Sequence, residues 1–241
     1  MKLFKIFILV AAILALANSA MAKATEGGNY GMLSGTYLAI GYGKSIPQSK
    51  IKHSNFGLSN DTYLSTKLKN SDIFKVAIGK EYAGNFRTEL EFLSSSKYKF
   101  SKTLDGVTGS FHITNQTYLV NTYYKLLNNT YIQPYVGVGI GFSRNSSSNM
   151  VLVDPTTPPT TVSNFAKAHK TNFAYNLMVG AQFEVTKNVF FDLSYKYADL
   201  GKVAGSTRLT NVSTGSVSTQ PTNLSGRLRN NIFLLGVGFK L

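Results

Sequence analysis

Apolar and polar residues alternate with a period of two along most of the chain beyond residue 35, which is the pattern of β-strands with two unlike faces. Segments with this alternation cover residues 36–44, 73–82, 86–93, 117–127, 131–143, 172–185, 189–198 and 231–241. Each has roughly the ten residues that a tilted strand needs to cross a bilayer. The alternation therefore predicts an all-β protein of eight strands.

The connections between these segments alternate between short and long. Tight turns are expected at residues 83–85, 128–130 and 186–188. The other connections are polar and rich in Ser, Thr, Asn and Gly, and they cover residues 45–72, 94–116, 144–171 and 201–230. Outer-membrane barrels have short periplasmic turns and longer loops outside the cell. We therefore expect an eight-stranded antiparallel transmembrane β-barrel with four long extracellular loops.

Charged residues within the strands distinguish the inside of this barrel from its outside. Nine of them lie on the face opposite the large apolar residues: Lys75, Glu81, Arg87, Glu89, Glu91, Lys125, Glu184, Asp192 and Lys196. A charge that faces lipid at mid-depth costs about 2–4 kcal/mol, so this face points into the barrel. Because both signs occur and an eight-stranded barrel is narrow, we expect a paired internal network and no wide pore.

Two other residue types follow from the barrel interpretation. Glycines on the inner face, or at points of strand curvature, are Gly41, Gly43, Gly79, Gly137, Gly139, Gly141, Gly180, Gly236 and Gly238. Tyrosines near the strand ends are expected to form girdles at the membrane interfaces. These are Tyr37, Tyr42, Tyr82, Tyr118, Tyr131 and Tyr197.

The sequence near the first residues predicts export, and the sequence of the last strand predicts closure of the barrel. Lys2 and Lys5 precede an apolar run over Ile6–Leu16, and the small-x-small site Ala20-Met21-Ala22 follows it, which predicts a signal peptide over residues 1–22. A signal anchor is the alternative, but the run is too short to span a bilayer. Residues 23–34 form a flexible lead-in, and residues 35–241 form the barrel domain. We expect the strand that ends at Leu241 to close the barrel and to carry its assembly signal.

A soluble exported barrel of the lipocalin type would show the same alternation, with its apolar face inside. The alternation alone does not exclude it, whereas the unequal connections disfavour it. The chain contains no cysteine, so disulfides, thiolate metal sites and lipoprotein anchoring are excluded. No later stretch has about 18 consecutive apolar residues, so we expect no transmembrane helix.

Three strand motifs resemble a known family. Residues 86–92 (FRTELEF) resemble the Arg-x-Glu-x-Glu strand of the opacity-type porins. Residues 131–139 (YIQPYVGVG) and 192–201 (DLSYKYADLG) resemble the fifth and penultimate strands of the same small surface-antigen barrels, of which those of Rickettsiales-type bacteria are especially similar. The resemblance covers the mature chain and implies an outer-membrane surface antigen, since several such proteins act as adhesins. The family commonly ends in Phe, whereas this chain ends in Phe239-Lys240-Leu241.

The net charge is +14, and the long connections carry the excess of basic residues. The candidate ligand contacts are Lys50, Lys52, Lys67, Lys69, Lys97, Lys99, Lys102, Lys167, Lys170, Lys202, Arg208, Arg227 and Arg229. Two interpretations stay open: these residues neutralise lipopolysaccharide phosphates at the loop bases, or they contact acidic host glycans or proteins. We hypothesise a surface antigen with adhesin-like binding. A small porin, or a structural barrel that maintains envelope integrity, is the alternative.

The histidines are His53, His112 and His169, each alone in a predicted loop. They have no clustered acid and base at a known spacing and no metal-ligand pattern, so we expect no enzyme, no cofactor and no metal. The expected partners are outer-membrane lipid, lipopolysaccharide, the outer-membrane assembly machinery and host-cell surface proteins or glycans, and not nucleic acid.

Overall fold

The computed structural model describes residues 34–48, 50–53, 64–82, 85–95, 97–104, 107–127, 130–148, 150–154, 161–206, 208–212, 214–219 and 224–241. The predicted signal peptide and most of the predicted lead-in, residues 1–33, lie outside this part of the chain. No helix among the described residues is long and apolar enough to cross a membrane.

The described residues form fifteen strands, numbered in chain order. They are β1 (Thr36–Pro47), β2 (Lys50–His53), β3 (Leu64–Lys67), β4 (Ser71–Glu81), β5 (Phe86–Ser95), β6 (Tyr98–Leu104), β7 (Val107–Lys125), β8 (Ile132–Ser147), β9 (Met150–Asp154), β10 (Thr161–Phe165), β11 (Ala168–Glu184), β12 (Val189–Ala204), β13 (Arg208–Asn211), β14 (Val217–Thr219) and β15 (Leu224–Lys240).

The eight long strands close into one antiparallel barrel. Each pairs with the next in the order β1, β4, β5, β7, β8, β11, β12 and β15. The last strand then pairs with the first, and Gly41 of β1 lies opposite Gly236 of β15. The predicted eight-stranded antiparallel barrel is confirmed, and β15 closes it.

Side chains alternate between the two faces of the barrel wall as the sequence pattern predicts. In β7, the outward-facing Tyr118 and Val120 are 58% and 51% exposed, whereas the intervening Leu119 and Asn121 are buried. Large apolar side chains on the outward face of other long strands are also exposed, as at Leu90 and Phe142. A protein in water would not leave such a continuous apolar surface uncovered, so this face is suited to lipid.

The predicted position is wrong for one of the expected girdle tyrosines. Tyr42, Tyr82, Tyr118 and Tyr131 are exposed on the outside, and Tyr197 is partly exposed. Tyr37, however, is fully buried inside the barrel. Side chains two residues apart on a strand point the same way, so Tyr37 faces inward with Gly41. Leu38, one residue further along β1, faces outward.

The long connections contain more regular structure than the sequence pattern suggested. We call the end of the barrel with the short turns its turn end, and the end from which the long connections emerge its outer end. At the outer end β7 and β8 stay paired as far as Ile113 and Ser147. The short strands β2, β3, β6, β9, β10, β13 and β14 continue the sheet beyond them. The strands therefore extend further towards the outer end than the sequence pattern predicted.

The interior is filled in two layers. The layer towards the turn end contains the charged residues together with apolar side chains such as Ala77 and Phe190. The layer towards the outer end is an apolar cluster that the sequence analysis did not anticipate. Its members are Leu68, Ile73, Leu93, Tyr98, Phe111, Ile113, Leu119, Ala174, Ala198, Leu200, Val203, Leu228, Ile232 and Leu234. Within this cluster, Tyr98 of β6 reaches across to β1 and β15 and donates a hydrogen bond to Ser45 at 2.7 Å.

Candidate functional site

The centre of the barrel contains a network of buried ion pairs. Lys75 Nζ lies 2.8 Å from Glu89 Oε1 and 3.3 Å from Glu91 Oε2. Glu91 also pairs with Lys196, which reaches it from the opposite wall. Ions that are removed from water are stable only when they are paired and hydrogen-bonded. Strands β4, β5 and β12 supply the positive and negative side chains of this network at one level of the barrel. The structure thus brings together four of the predicted interior residues.

Arg87 and Asp192 form the second part of this network. The Arg87 guanidinium lies 3.6 Å from Asp192 Oδ2 and donates a hydrogen bond to Gln182 Oε1 at 2.7 Å. It also stacks over the ring of Tyr123, with 4.2 Å between the guanidinium carbon and the ring centroid. Tyr135 donates to Asp192 at 2.9 Å. The arginine is therefore fixed by aromatic faces as well as by charge.

The remaining predicted interior residues form a separate group at the turn end. Lys125 Nζ lies 2.8 Å from Glu81 Oε1. Lys240 of β15 lies 2.6 Å from Glu184 and 3.3 Å from Glu81. Lys240 was not among the residues predicted for the internal network. The alternation of Gly236, Gly238 and Lys240 on the inner face was the available signal.

The sequence reasoning also missed the hydroxyl donors of the central network. Tyr37 and Tyr123 each donate a hydrogen bond to Glu89 at 2.9 Å. Charge identifies acids and bases in a sequence, whereas a tyrosine suits both a hydrogen-bonded interior and the membrane interface, so only its position in the strand alternation indicates its direction. These tyrosines complete the solvation of a carboxylate that would otherwise be under-satisfied.

Two of the candidate loop arginines are held by an acid at the outer rim of the barrel. Asp199 accepts hydrogen bonds from Arg227 Nε at 2.7 Å and from Arg229 Nε at 3.1 Å. It also accepts the backbone N–H of Gly201 at 3.0 Å, where a bulge interrupts the pairing of β12 with β15. Gly201 adopts φ of +74°, which suits glycine. Burial opposes the charge of Asp199, but these donors outweigh it and lower its pKa.

The other candidate cations lie apart from any described acid. Among the described side chains, no carboxylate forms an ion pair with the exposed residues Lys50, Lys69, Lys97, Lys99, Lys167, Lys170, Lys202 and Arg208. The side chains of Lys52, Lys67 and Lys102 lie outside the described ones. In the β2–β3 pair, Lys50 stands directly opposite Lys67 in the backbone register.

Three of these exposed cations gather around one histidine. His112 of β7 lies opposite Lys99 of β6. Partial burial, together with the positive charges of Lys97, Lys167 and Lys99, lowers the pKa of His112. Lys97 and Lys99 come from the second long connection and Lys167 from the third, so the fold assembles this group from separate segments. We call Lys97, Lys99, His112 and Lys167 the basic cluster.

The acidic side chains in the described part of the chain, unlike the exposed lysines named above, are all paired. Every carboxylate with a described side chain takes part in an ion pair: Asp72, Glu81, Glu89, Glu91, Glu184, Asp192 and Asp199. They lie inside the barrel or at its rim. The surface beyond the rim therefore presents basic side chains that the described acids do not neutralise.

His112 and His169 lie in strands β7 and β11, and the side chain of His53 is not among those described. Within the described residues, no group of three or more His, Asp or Glu side chains could hold a metal ion. The described side chains at the outer end include lysines and arginines, which bind anions.

Comparison with known proteins gives a family match over nearly the whole chain. The sequence pattern of the outer membrane protein beta-barrel domain matches residues 8–240. A candidate adhesin of Rickettsia conorii is 31% identical over 206 residues, which cover 80% of this chain and 80% of that protein. The resemblance to small outer-membrane surface-antigen barrels is confirmed by these matches.

Two further comparisons extend this result. The outer membrane protein PagN of Salmonella typhimurium is 34% identical over 141 residues, which cover 54% of this chain and 57% of PagN. The crystal structure of the outer membrane protein OprG from Pseudomonas aeruginosa covers 86% of this chain and 96% of OprG. Its TM-score is 0.56 at 15% identity, which shows a common fold and no more.

Proposed function

Because this chain belongs to the outer membrane protein β-barrel family, we propose that it is a surface adhesin of the bacterial outer membrane. Its long strands span the membrane as a filled scaffold, and its outer strands and loops bind anionic ligands on host surfaces. The ligand class is a sulfated or otherwise acidic glycan, or an acidic protein surface.

The observation that supports this proposal is that the described acidic side chains are paired, whereas many exposed basic side chains are not. The described acids are paired inside the barrel or at the rim, whereas Lys50, Lys97, Lys167 and other exposed cations beyond the rim meet no described acid. If the cations served only to hold the fold together, each would be expected to face an acid. Their excess at the outer end supports a role towards an external anion.

The geometry of the basic cluster favours a ligand with several negative charges. Lys97, Lys99 and Lys167 are exposed, and their positive charges repel the protonated form of His112, which together with its partial burial lowers the pKa of His112. An anion placed among them relieves this repulsion. Attraction of this kind raises the association rate more than the affinity and weakens as salt increases.

The relatives support the same class of function. The Rickettsia conorii protein carries the name of a candidate adhesin, and PagN is named as an outer membrane protein. Neither name is that of an enzyme, and we infer a non-enzymatic role for this chain. Its other proposed partners are the machinery that inserts barrels into the outer membrane and the lipid that surrounds the wall.

The proposal is tested by measuring binding of the folded protein in detergent to immobilised heparin, used as a sulfated-glycan probe. The triple variant Lys97→Ser, Lys99→Ser and Lys167→Ser removes the basic cluster's lysines. We expect it to bind at least about fivefold more weakly at low salt, since several charge contacts are lost.

A matched pair of single variants controls for net charge. Lys167→Glu and Lys187→Glu change the charge by the same amount, but Lys187 is exposed in the turn between β11 and β12, at the opposite end of the barrel. We expect only Lys167→Glu to weaken binding. Equal effects of the two variants would mean that binding follows net charge and not the outer surface.

A further inference from the structure

We infer that the outer end of the barrel binds an extended acidic segment of a partner protein by adding it as a strand to the edge of β6. The inference rests on the proposed adhesin function and names the form in which one class of its ligands is bound. The main chain of the partner pairs with the backbone of Ser101 and Thr103, and its carboxylates lie beside the exposed lysines at the base of that edge.

The site is a cleft between two neighbouring strands of the barrel wall. β4 and β5 pair as far as Ile73 and Ser95, and beyond them the N–H of Lys69 donates to the carbonyl of Lys99 at 3.1 Å. Further out the two segments separate, because β3 pairs with β2 and β6 pairs with β7. Among the described strands, neither β3 nor β6 has a strand partner on the side that faces the other. The cleft therefore has a sheet edge on each side.

The backbone of β6 has hydrogen-bonding groups that point into this cleft. In an antiparallel pair, successive residues alternate between facing the partner strand and facing away from it. Lys99 faces away from β7, because its carbonyl accepts from Lys69 and because the carbonyl of His112, opposite it, accepts from the residue after β8. Ser101 and Thr103 follow in the same phase, so their N–H and C=O groups lie along the cleft. Within the described part of the chain, no backbone group pairs with them there.

This edge suits a polypeptide and not a glycan. β6 has seven residues, which correspond to about 23 Å of extended chain. Only another extended main chain offers N–H and C=O groups at the spacing of a strand, and adding such a chain to a free edge is a general mode of peptide recognition. A free edge of this length pairs with another strand unless charge or shape prevents it.

The charge beside the cleft selects the partner. Lys69, Lys97 and Lys99 are exposed, and no carboxylate among the described side chains forms an ion pair with them. A second copy of this chain would place lysines against lysines, so charge disfavours pairing of two copies through this edge. An acidic segment is attracted by the same lysines.

The positions of the acids in such a segment follow from the strand geometry. Lys97 and Lys99 are two residues apart, so their side chains point to the same side of β6. The acids of a bound segment therefore occupy alternate positions. A sulfated glycan needs the lysine side chains alone, whereas this segment needs both the side chains and the backbone of the edge, and the two kinds of ligand can be tested apart.

The inference is tested by fluorescence anisotropy with a labelled synthetic peptide of about ten residues, in which glutamate alternates with threonine and valine to favour an extended chain. Its control is the same peptide with methyl groups on the central backbone nitrogens, which keeps the charge and removes the donors. We expect the folded protein in detergent to bind the unmodified peptide at least about tenfold more tightly, since only it forms the main-chain hydrogen bonds.

Two double variants test the position of the edge. Ser101→Pro with Thr103→Pro removes N–H groups that face the cleft and keeps the bonds to β7, and proline is tolerated on an edge of this kind. Val217→Pro with Thr219→Pro is the matched control, because Val217 and Thr219 face away from β13 on the edge strand β14. We expect the first variant to bind the unmodified peptide as weakly as the methylated one, and the control to bind it like the wild type.

Heparin binding is measured in parallel on every variant, and we expect both proline variants to retain it because no lysine is changed. The heat-dependent shift of the folded band on a gel verifies that each variant is folded. Equal binding of the two peptides by the wild type would overturn strand addition, as would wild-type peptide binding by the Ser101→Pro, Thr103→Pro variant. Either result would leave the adhesin proposal standing, since heparin binding tests that proposal by itself.

Discussion

Lys75 and Glu89 form an ion pair inside the barrel, with 2.8 Å between Lys75 Nζ and Glu89 Oε1. Neither side chain has access to solvent beyond a few percent of its surface. Glu89 also accepts hydrogen bonds from Tyr37 and Tyr123, so each of its oxygens has at least one donor. Removing one partner would leave the other charged and buried, and this explains why the pair matters to the fold.

The first prediction concerns this pair. Glu89→Gln should lower the free energy of unfolding by about 3 kcal/mol, because Lys75 loses a buried counter-ion. Glu184→Gln is the control, since it breaks the more exposed pair with Lys240 and should cost less than about 1 kcal/mol. Urea unfolding in detergent micelles measures both. Equal losses would show that the central network contributes no more than a surface pair.

The second prediction concerns the space that Tyr37 needs. A Cβ added to Gly79 would lie 2.1 Å from the Tyr37 ring, and that ring is held by Phe190 and by its hydrogen bond to Glu89. Gly79→Ala should therefore destabilise the barrel by about 1–3 kcal/mol.

Gly41→Ala is the matched control for this prediction. Gly41 also faces inward, but its nearest neighbours to an added Cβ lie at 3.4 Å, an ordinary contact. The change should stay within about 1 kcal/mol in the same urea experiment. If Gly79→Ala were as well tolerated as Gly41→Ala, Tyr37 would not be fixed where the structure places it.

The sequence was sufficient to assign the faces of the strands. Lys75, Arg87 and Glu89 alternate with large apolar residues, and the cost of a charge in lipid leaves only one side for them. The same argument fails for Tyr37, because a tyrosine is suited both to the interface and to a hydrogen-bonded interior. Its inward direction follows from counting by two from Gly41, which the girdle interpretation ignored.

Contacts across the barrel could not be derived from the sequence. Lys196 reaches Glu91 from a strand 105 residues away, and this meeting depends on the stagger of all the strands between them. The short strands at the outer end could not be predicted from the sequence for a related reason. Arg208–Asn211 is short and polar, and it is a strand because β10 on one side and β14 on the other offer it backbone partners.

The third prediction concerns the orientation of the barrel in the membrane. The chain has no cysteine, so single cysteines can be labelled without background. Lys167→Cys, at the outer end, should react with a membrane-impermeant maleimide on intact cells. Lys187→Cys, in the turn between β11 and β12, should react only after the outer membrane is permeabilised. Labelling of Lys187→Cys on intact cells would reverse the assigned orientation.

The fourth prediction concerns His112. Partial burial and the charges of Lys97, Lys167 and Lys99 lower its pKa below the ordinary value of 6.5. An anionic ligand in the basic cluster offsets those charges, so the pKa of His112 should rise on binding. By linkage, binding should tighten as the pH falls through this pKa. NMR titration of a His53→Gln, His169→Gln variant with and without a heparin oligosaccharide measures the shift.

The control for His112 is the same protein with Lys97, Lys99 and Lys167 changed to Ser. Its His112 pKa should lie nearer to 6.5 before any ligand is added and should respond little to the oligosaccharide. A wild-type pKa that does not move on ligand addition would place the bound anion away from the basic cluster.

The most direct test of the adhesin assignment is the attachment of bacteria that display this protein to cultured host cells. A non-adherent laboratory strain carries the wild-type chain, the Lys97→Ser, Lys99→Ser, Lys167→Ser variant or the Lys187→Ser control, at equal surface amounts. We predict that the wild type and the control attach equally and that the triple variant attaches at least about threefold less, because its anion contacts are lost. Attachment of the triple variant at the wild-type level would contradict the assignment of adhesion to the basic outer surface.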